Sequence, residues 1–305
     1  MNSRQVGNDR PPVPGSAAAL ALGLLLLAPA CAVEGEAEKP GIQPVGEGTR
    51  LAIGGIQGLG LLHLWLPEAI MTDRGASSLY PVGGEWIRRG DTWSHEVGAD
   101  ALFGPGNYRR VDDGTLAIGP VEFPLEPPVA WKTTVASLPN RVEYTIQLTN
   151  VAREPLRKVG AAVCLSFGRN DWWSDEQTFA RSDGRVRSLA QLGRQAGEFK
   201  VAGVNDFQAY LLCGESFANA FYRRLWGINR SCLERPMIVS YNRPSRLAVS
   251  VSARHAYFLH SNKGTPCTDV MVAFGDVQPG ATATASGSVE IHRGGGVKRI
   301  LARKH

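Results

Sequence analysis

Apolar and polar residues alternate with a period of two in several short stretches of the chain. The clearest stretch covers residues 141–150, where four apolar side chains alternate with glutamate, threonine and glutamine, and a second covers residues 159–167. This alternation is typical of a β-strand with one buried and one wet face. Because only a short turn region separates the two stretches, we expect them to form an antiparallel pair.

The same pattern continues in the last third of the chain. Residues 247–251, 269–274 and 281–291 are apolar or alternating, and Pro279-Gly280 before the last stretch is typical of a tight turn. A helical stripe is recognisable over residues 216–226. The 35 glycines and 19 prolines also suit many short strands joined by turns. We therefore predict an all-β fold, a large antiparallel β-sandwich with at most one or two short helices.

The N-terminus has the three parts of a secretory signal peptide. Arg4 and Arg10 precede an apolar run over residues 17–28, and small residues follow it. The run is about 12 residues long, whereas a membrane-spanning helix needs about 20. We expect residues 1–30 to be a signal peptide, residues 31–48 a flexible linker, and no transmembrane segment after the signal is removed.

Cys31 directly follows the small residues at the end of the apolar run, which is the position of the acceptor cysteine in a bacterial lipoprotein. Ala28 stands where the strongest form of that signature has leucine, so cleavage after Ala30 or Ala32 is the alternative. The chain is expected to be exported: periplasmic, anchored to the outer membrane by a lipid on Cys31, or secreted.

The formal net charge of +5 belongs to the two ends of the chain. Residues 1–30 and the tail after residue 294 carry the excess of lysine and arginine, and the residues between them are neutral overall. A neutral body excludes the basic face that a nucleic-acid-binding protein needs. We expect residues 49–293 to form a single sandwich domain and residues 294–305 to be a basic, disordered tail.

Four cysteines remain beyond Cys31, which permits two disulfides in an exported chain. Cys164 and Cys213 lie within apolar runs, so we interpret them as buried thiols. Cys232 and Cys267 lie in loop-like surroundings and are the predicted disulfide pair. Because no two cysteines have the C-x-x-C spacing, we predict no metal site, and no motif points to a cofactor.

The strand over residues 142–148 that ends in Thr149-Asn150, the strand 159–167 with its cysteine, and the turn 274–280 together resemble a known group. They are similar to uncharacterised exported bacterial β-sandwich proteins with a galactose-mutarotase-like fold, over roughly residues 135–292. The resemblance implies a sandwich whose relatives commonly bind or act on sugars. The catalytic glutamate and histidine pair of the mutarotases match no defined positions here, so the resemblance implies a fold and not an activity.

Two neighbouring tryptophans in an acidic segment are the best candidates for a ligand site. Flat aromatic faces contact the C–H edges of sugars, while carboxylates and amides bind their hydroxyl groups. The alternative is that one tryptophan fills the core and the carboxylates are solvated. The candidate ligand-binding residues are Asp171, Trp172, Trp173, Asp175 and Glu176.

Ser216 lies between an apolar stretch and the helical stripe, which is the context of a nucleophile elbow in a serine hydrolase. His255 or His260 would then act as the base. The chain lacks the alternating strands and helices of that fold, and Ser216 is better explained as a helix N-cap. Each histidine is better explained as a polar residue beside a loop.

Taken together, the leading hypothesis is an exported, non-catalytic β-sandwich that recognises a glycan or another cell-envelope polymer through the loop around Trp172 and Trp173. One alternative is an enzyme, either a sugar-directed lyase, epimerase or hydrolase on the sandwich or a serine hydrolase that uses Ser216. The other is a structural envelope-associated protein.

Overall fold

The computed structural model describes residues 37–45, 49–73, 76–78, 85–89, 92–96, 108–123, 128–167, 173–195, 207–216, 227–262, 266–294 and 296–303. The expected signal peptide and Cys31 lie outside these residues.

The described residues form two sheets. The eleven strands of the first, here the large sheet, are β1 (Gly41–Pro44), β2 (Arg50–Gly54), β3 (Leu62–Met71), β4 (Ala76–Ser78), β5 (Glu85–Arg89), β6 (Thr92–Glu96), β11 (Leu156–Ser166), β14 (Phe207–Leu211), β15 (Gly227–Ile228), β18 (Ala256–Asn262) and β19 (Cys267–Val277). The nine strands of the second, here the small sheet, are β7 (Tyr108–Asp112), β8 (Thr115–Phe123), β9 (Val129–Leu138), β10 (Arg141–Asn150), β12 (Thr178–Ser182), β13 (Arg185–Ser188), β16 (Met237–Asn242), β17 (Leu247–Ala253) and β20 (Thr282–Arg293).

Strands far apart in sequence are neighbours in both sheets. The large sheet has the order β15-β14-β18-β19-β11-β3-β4-β5-β6, with β2 also paired to β3 and β1 to β2. The small sheet has the order β13-β12-β16-β17-β20-β10-β9-β8-β7. Every pairing of these strands is antiparallel except that of β14 with β15. The predicted all-β sandwich is therefore confirmed.

The period-two pattern decides which side chains fill the space between the sheets. On β10 the buried residues Val142, Tyr144, Ile146 and Leu148 face the other sheet, and their neighbours are half-buried on the outer face. The inward side chains of β3, β11, β18 and β19 join the same core, Val163 among them. The remaining side chains of these strands lie on the outer faces of the two sheets, and the polar and ionisable groups of the strands are found there.

The expected pairing of residues 141–150 with 159–167 is wrong. These residues form β10 and β11, but β10 pairs with β9 and β20 whereas β11 pairs with β3 and β19. The turn between them crosses from one sheet to the other. Buried Asn150 holds this crossing, because its Nδ2 donates to the carbonyl oxygens of Glu154 (2.8 Å) and Val277 (2.9 Å). Val277 ends β19, so the Asn150 side chain links the β10–β11 crossing to the β19–β20 crossing.

Two expected domain boundaries need correction. Residues 41–44, assigned to a linker, form β1 and pair with β2. Part of the expected disordered tail is the short helix α2 (Val297–Ala302), in which Ile300 and Leu301 are buried. They pack against Met237, Val239 and Ala248 on the outer face of the small sheet. Apolar side chains on one side of this basic segment therefore hold it against the fold.

The other described helix, α1 (Leu189–Leu192), follows β13 and begins with a capping box between Ser188 and Gln191. The predicted helical stripe lies outside the described residues, apart from Ser216. No helix in the described part of the chain is long and apolar enough to cross a membrane.

Candidate functional site

An open groove lies on the outer face of the small sheet, across β10, β20 and β17. It has a volume of about 650 Å³, within the usual range of ligand pockets. Its lining is mostly polar and comprises Arg141, Glu143, Tyr144, Thr145, Ser252, Ala253, Arg254, Ser286, Gly287, Ser288 and Glu290. The groove therefore presents hydroxyl, carboxylate and guanidinium groups to solvent.

Hydrogen bonds connect the polar side chains of β17 and β20 into one network. The hydroxyl groups of Ser252 and Ser288 lie 3.2 Å apart, and Ser288 Oγ donates to Glu290 Oε1 over 3.3 Å. On the far side, His292 Nε2 lies 3.7 Å from Glu290 Oε2 and 3.1 Å from Ser250 Oγ. The Glu290 carboxylate thus accepts a hydrogen bond on one oxygen and has the His292 ring near the other, which favours one orientation before any ligand arrives.

Two charged side chains on β10 complete one rim of the groove. Arg141 Nη2 lies 3.0 Å from Glu143 Oε1, and both side chains are about half exposed, at 48% and 47%. An exposed ion pair of this kind contributes only about 0–1 kcal/mol to stability. Ligand hydroxyl groups can therefore replace it at little cost.

A glycine is required beneath the groove. A Cβ atom on Gly287 would lie 2.2 Å from the Tyr144 hydroxyl and 2.1 Å from the Ser252 carbonyl oxygen. Tyr144 uses this space to donate a hydrogen bond of 2.6 Å to that carbonyl. The missing side chain leaves room for the Tyr144 side chain of β10 to cross β20 and reach β17 below the groove.

A second cluster of reactive side chains lies on the outer face of the large sheet. It consists of Glu68, Cys164, His260, Cys267 and Asp269, and we call it the thiol–carboxylate cluster. Strand register places Cys164 opposite Asp269, and Asp269 opposite His260. Glu68 joins them because three residues of β3 lie opposite a single residue of β11 between Trp65 and Ala69, which makes a bulge.

The members of this cluster contact one another closely. His260 Nδ1 is paired with Asp269 Oδ2, and the Cys267 thiol donates to the same oxygen over 3.9 Å. One ligand atom each from Cys164, Cys267 and Asp269 lie within 4.8 Å of one another. The ring of Phe207 stacks on that of His260 with centroids 4.8 Å apart, which fixes the plane of the imidazole.

Burial dominates the electrostatics of the cluster. Burial and the adjacent Asp269 carboxylate raise the pKa of Glu68 to about 8. Burial also raises the pKa of the Cys164 thiol well above its ordinary value. A hydrogen bond with Cys164 lowers the pKa of Cys267, but burial and the carboxylates outweigh it and raise that pKa to about 12. Both thiols are therefore protonated at neutral pH.

Solvent access separates the two sites. Only 2% of Asp269 and 4% of each cysteine are exposed. A sugar-sized substrate cannot reach these atoms in the described arrangement, whereas the groove is open. The groove thus suits a dissolved ligand, and the thiol–carboxylate cluster suits a small ion or a structural role.

The predicted tryptophan site is only partly described. Asp171 and Trp172 lie outside the described residues. Trp173 is half-buried and packs against the main core, and Glu176 is exposed. Asp175 accepts two hydrogen bonds from Arg194, of 2.6 and 2.8 Å. Trp173 therefore contacts the core and Asp175 is paired with Arg194. These contacts agree with the alternative that a tryptophan fills the core.

The described contacts do not join Ser216 to either candidate histidine. The Lys158 ammonium donates to the Ser216 hydroxyl; Lys158 is half-buried and Ser216 is exposed. His260 is buried with Asp269, and His255 is exposed. Lys158 and Cys164, which neighbours the His260–Asp269 pair, are six residues apart on β11, or about 20 Å along a strand. No serine hydrolase triad forms among these described residues.

The predicted disulfide is wrong in one partner. Cys232 is bonded to Cys213, and Cys267 is a buried thiol next to Cys164. Cys213 does not lie within a buried strand. It lies at an exposed turn after β14, and this position brings it next to Cys232. The interpretation of Cys164 as a buried thiol is confirmed. The C-x-x-C spacing applies to cysteines close in sequence, whereas the pairing of β11 with β19 brings together cysteines about a hundred positions apart.

Several groups were missed by the sequence reasoning. Asp269 begins an apolar stretch and His260 ends another. Ionisable residues are rarely buried without a partner, so their presence in strands that are buried on both faces was the available signal for the thiol–carboxylate cluster. Glu68 depends on the bulge in β3, which no local pattern reveals. The groove residues alternate with core residues on β10 and β20, but a wet strand face by itself does not identify a groove.

No protein-family model and no curated protein matches the chain. Among solved structures it is similar to a galactose mutarotase related enzyme from Lactobacillus acidophilus, with 11% identity and a TM-score of 0.44 over 83% of this chain and 97% of that one. A galactose mutarotase-like protein from Lactobacillus casei has 12% identity and a TM-score of 0.43, over 83% of this chain and all of that one. An α-N-acetylgalactosaminidase from Bifidobacterium bifidum has 13% identity and a TM-score of 0.43, over 85% of this chain and 35% of that one. Two of these three structures are of proteins described as galactose mutarotase related or galactose mutarotase-like.

Proposed function

We propose that this chain is a non-catalytic β-sandwich that binds a glycan in the groove of the small sheet. The observation that carries the proposal is the connected network of Ser252, Ser288 and Glu290 in an open groove of about 650 Å³. Sugar hydroxyl groups both donate and accept hydrogen bonds, so they match a lining that alternates hydroxyl, carboxylate and guanidinium groups. The proposed site therefore replaces the loop around Trp172 and Trp173 as the main contact surface.

The charges of the groove favour a ligand without strong net charge. Arg141 and Arg254 are balanced by Glu143 and Glu290, so neither an anionic nor a cationic polymer is selected by charge alone. Orientation would come from the fixed Glu290 carboxylate. Affinity would come from several hydrogen bonds, each contributing about 0.5–1.5 kcal/mol.

The proposal places the protein in an exported compartment, where it would meet cell-envelope glycans. The signal-like N-terminus motivates this placement, and the Cys213–Cys232 disulfide supports it, since disulfides persist in oxidising compartments. Attachment of lipid to Cys31 remains part of the proposal. Mass spectrometry of the mature N-terminus tests both points: an intact N-terminus that begins at Met1 would contradict export by this signal.

Binding is tested by a glycan array followed by titration calorimetry with the strongest ligand. We expect Glu290→Gln to weaken binding by tenfold or more, because it removes a charged acceptor whose position the network fixes. Arg243→Ala, at an exposed position outside the groove lining, is the control and should bind like the wild type. Failure of the wild type to bind any glycan would favour the envelope-structural alternative. Loss of binding in Trp172→Ala with full binding by Glu290→Gln would return the site to the tryptophan loop.

Glycoside hydrolysis is a second candidate, because the groove holds two carboxylates on neighbouring strands. Glu143 is in register with Ser288 and Glu290 with Arg141, so the two glutamates occupy diagonal positions whose Cα atoms are about 7–8 Å apart. Inverting glycosidases hold their two carboxyl groups about 6.5–9.5 Å apart, a separation that side chains at diagonal positions can span. Release of new reducing ends from a bound oligosaccharide by the wild type, and by neither Glu143→Gln nor Glu290→Gln, would establish hydrolysis. An unchanged oligosaccharide leaves binding as the function.

A further inference from the structure

We infer that Cys164, Cys267 and Asp269 bind a zinc ion on the outer face of the large sheet. The inference is independent of glycan binding, since these residues lie on the opposite side of the molecule from the groove. Strands β11 and β19 supply the ligands, and their register places Cys164 directly opposite Asp269.

The distances are close to those of a zinc site. The three ligand atoms lie within 4.8 Å of one another. In a tetrahedral site with zinc–sulfur bonds of about 2.3 Å and zinc–oxygen bonds of about 2.0 Å, ligand atoms are roughly 3.5–3.8 Å apart. Side-chain movements of about 1 Å would therefore bring the three atoms to zinc. Glu68, which interacts with Cys164 from the bulge of β3, offers a carboxylate for a fourth position.

A second observation points to a cation at this position. Asp269 is 98% buried, and none of the described residues hydrogen-bonds to its Oδ1 atom. Burial of a carboxylate oxygen without a partner costs free energy of folding. The neighbours of this carboxylate are the carboxyl group of Glu68 and two thiols. Zinc would satisfy this oxygen and neutralise the group of acidic side chains.

The donor set selects the metal. Two thiolates and a carboxylate suit zinc, whereas calcium and magnesium prefer oxygen ligands alone. On binding, each thiol loses its proton, so two protons are released to solvent and two sulfur–zinc bonds form. His260, held by Phe207 and paired with Asp269 Oδ2, acts as a positioning residue that fixes the carboxylate.

The disposition of the cysteines also agrees with a bound metal. Cys213 and Cys232 are joined, whereas Cys164 and Cys267 are neighbours that remain thiols. Coordination to zinc keeps thiolates from oxidising, because their lone pairs are engaged. A metal therefore explains how one cysteine pair stays reduced in a chain that forms a disulfide elsewhere.

The experiment begins with the full chain purified without chelators. We expect elemental analysis to give one zinc per chain. Replacement by cobalt(II) should produce a thiolate-to-cobalt charge-transfer band in the near-ultraviolet. Cys164→Ser, Cys267→Ser and Asp269→Asn should each lose the zinc, while the matched control Cys31→Ser should keep it. His260→Gln should weaken zinc affinity by about 10- to 100-fold and keep the charge-transfer band at saturating cobalt.

Circular dichroism shows which variants are folded. If a cysteine variant does not fold, the cobalt spectrum of Cys31→Ser decides the question, because Cys164 and Cys267 are then the remaining thiols. A chain without zinc that gives no charge-transfer band with cobalt overturns the inference. So does a Cys164–Cys267 disulfide found by peptide mapping under non-reducing conditions.

Discussion

The outer faces of the two sheets hold their polar side chains in opposite ways. On the small sheet, the side chains of β10, β17 and β20 form a groove that is open to solvent and linked by hydroxyl–carboxylate hydrogen bonds. On the large sheet, thiols and carboxyl groups are buried and lie beside aromatic rings such as those of Phe207 and Trp65. Both faces arise from the same alternation of residues along a strand.

This difference shows that two properties decide the chemistry of a sheet face. One is whether its outward side chains are shielded from solvent, and the other is which donor atoms they carry. Each residue of β18 is buried, as is nearly every residue of β11, so their outward side chains are desolvated. Desolvation makes an unpaired charge expensive and favours a partner that never leaves, such as a metal ion. The residues of β10 alternate between buried and half-buried, so the outward groups remain hydrated and available to a ligand that exchanges.

The largest effect is expected from filling the space below the groove. Gly287→Ala places a methyl group against the Tyr144 hydroxyl and the Ser252 carbonyl oxygen. We expect the free energy of unfolding to fall by about 3 kcal/mol or more, measured by urea denaturation, and glycan binding to be lost. The folded fraction should keep its zinc. Gly296→Ala is the control, since a Cβ there meets no atom within 4 Å and its φ of −68° suits any residue.

A second substitution opens the covered part of the small sheet. Leu301→Ala removes a fully buried side chain of α2 from its contacts with β16 and β17. We expect a loss of about 2 kcal/mol in the free energy of unfolding and an increase in binding of an apolar fluorescent dye. Lys298→Ala, exposed on the same helix, should change neither quantity. An unchanged stability of Leu301→Ala would mean that α2 does not hold to the sheet in solution.

A smaller change weakens the groove and leaves the fold intact. Ser288→Ala removes the hydroxyl that links Ser252 to Glu290. We expect glycan affinity to fall about fivefold, which corresponds to about 1 kcal/mol for one hydrogen bond, while zinc content stays the same. Calorimetry measures the affinity, and Ser231→Ala, outside the groove lining, is the matched serine control. Equal affinities of the two variants would remove Ser288 from the proposed binding network.

The smallest expected effect concerns the pH dependence of the large sheet. Burial and the positive charge of Arg50 lower the pKa of His63 below 6.5. The unfolded chain then binds a proton at pH values where the folded protein does not, so stability falls as pH decreases below about 6.5. His63→Gln should reduce this loss between pH 7 and pH 5 by on the order of 0.5 kcal/mol, given partial exposure. Identical pH profiles of unfolding for the two proteins would contradict the shift.

The sequence was sufficient for the fold class, because alternation on β10, β17 and β20 is a local property of the chain. It was insufficient for sheet membership, since the turn after Asn150 crosses between sheets and no local pattern distinguishes a crossing from a hairpin. The thiol–carboxylate cluster was out of reach for the same reason. Cys164 and Asp269 are brought together by β11–β19 pairing, which depends on the whole topology. The misassigned disulfide followed from treating apolar surroundings as burial, whereas Cys213 lies at an exposed turn.

The position of β19 and β20 has a consequence for biosynthesis. Both follow all the other strands along the chain, yet β19 lies between β18 and β11 in the large sheet, and β20 lies between β17 and β10 in the small one. Neither sheet can close until its last strand has left the ribosome. Earlier strands such as β10 and β11 therefore have an unpaired edge during translation. A chain cut before Cys267 would lack a central strand in each sheet, so both sheets would be lost together.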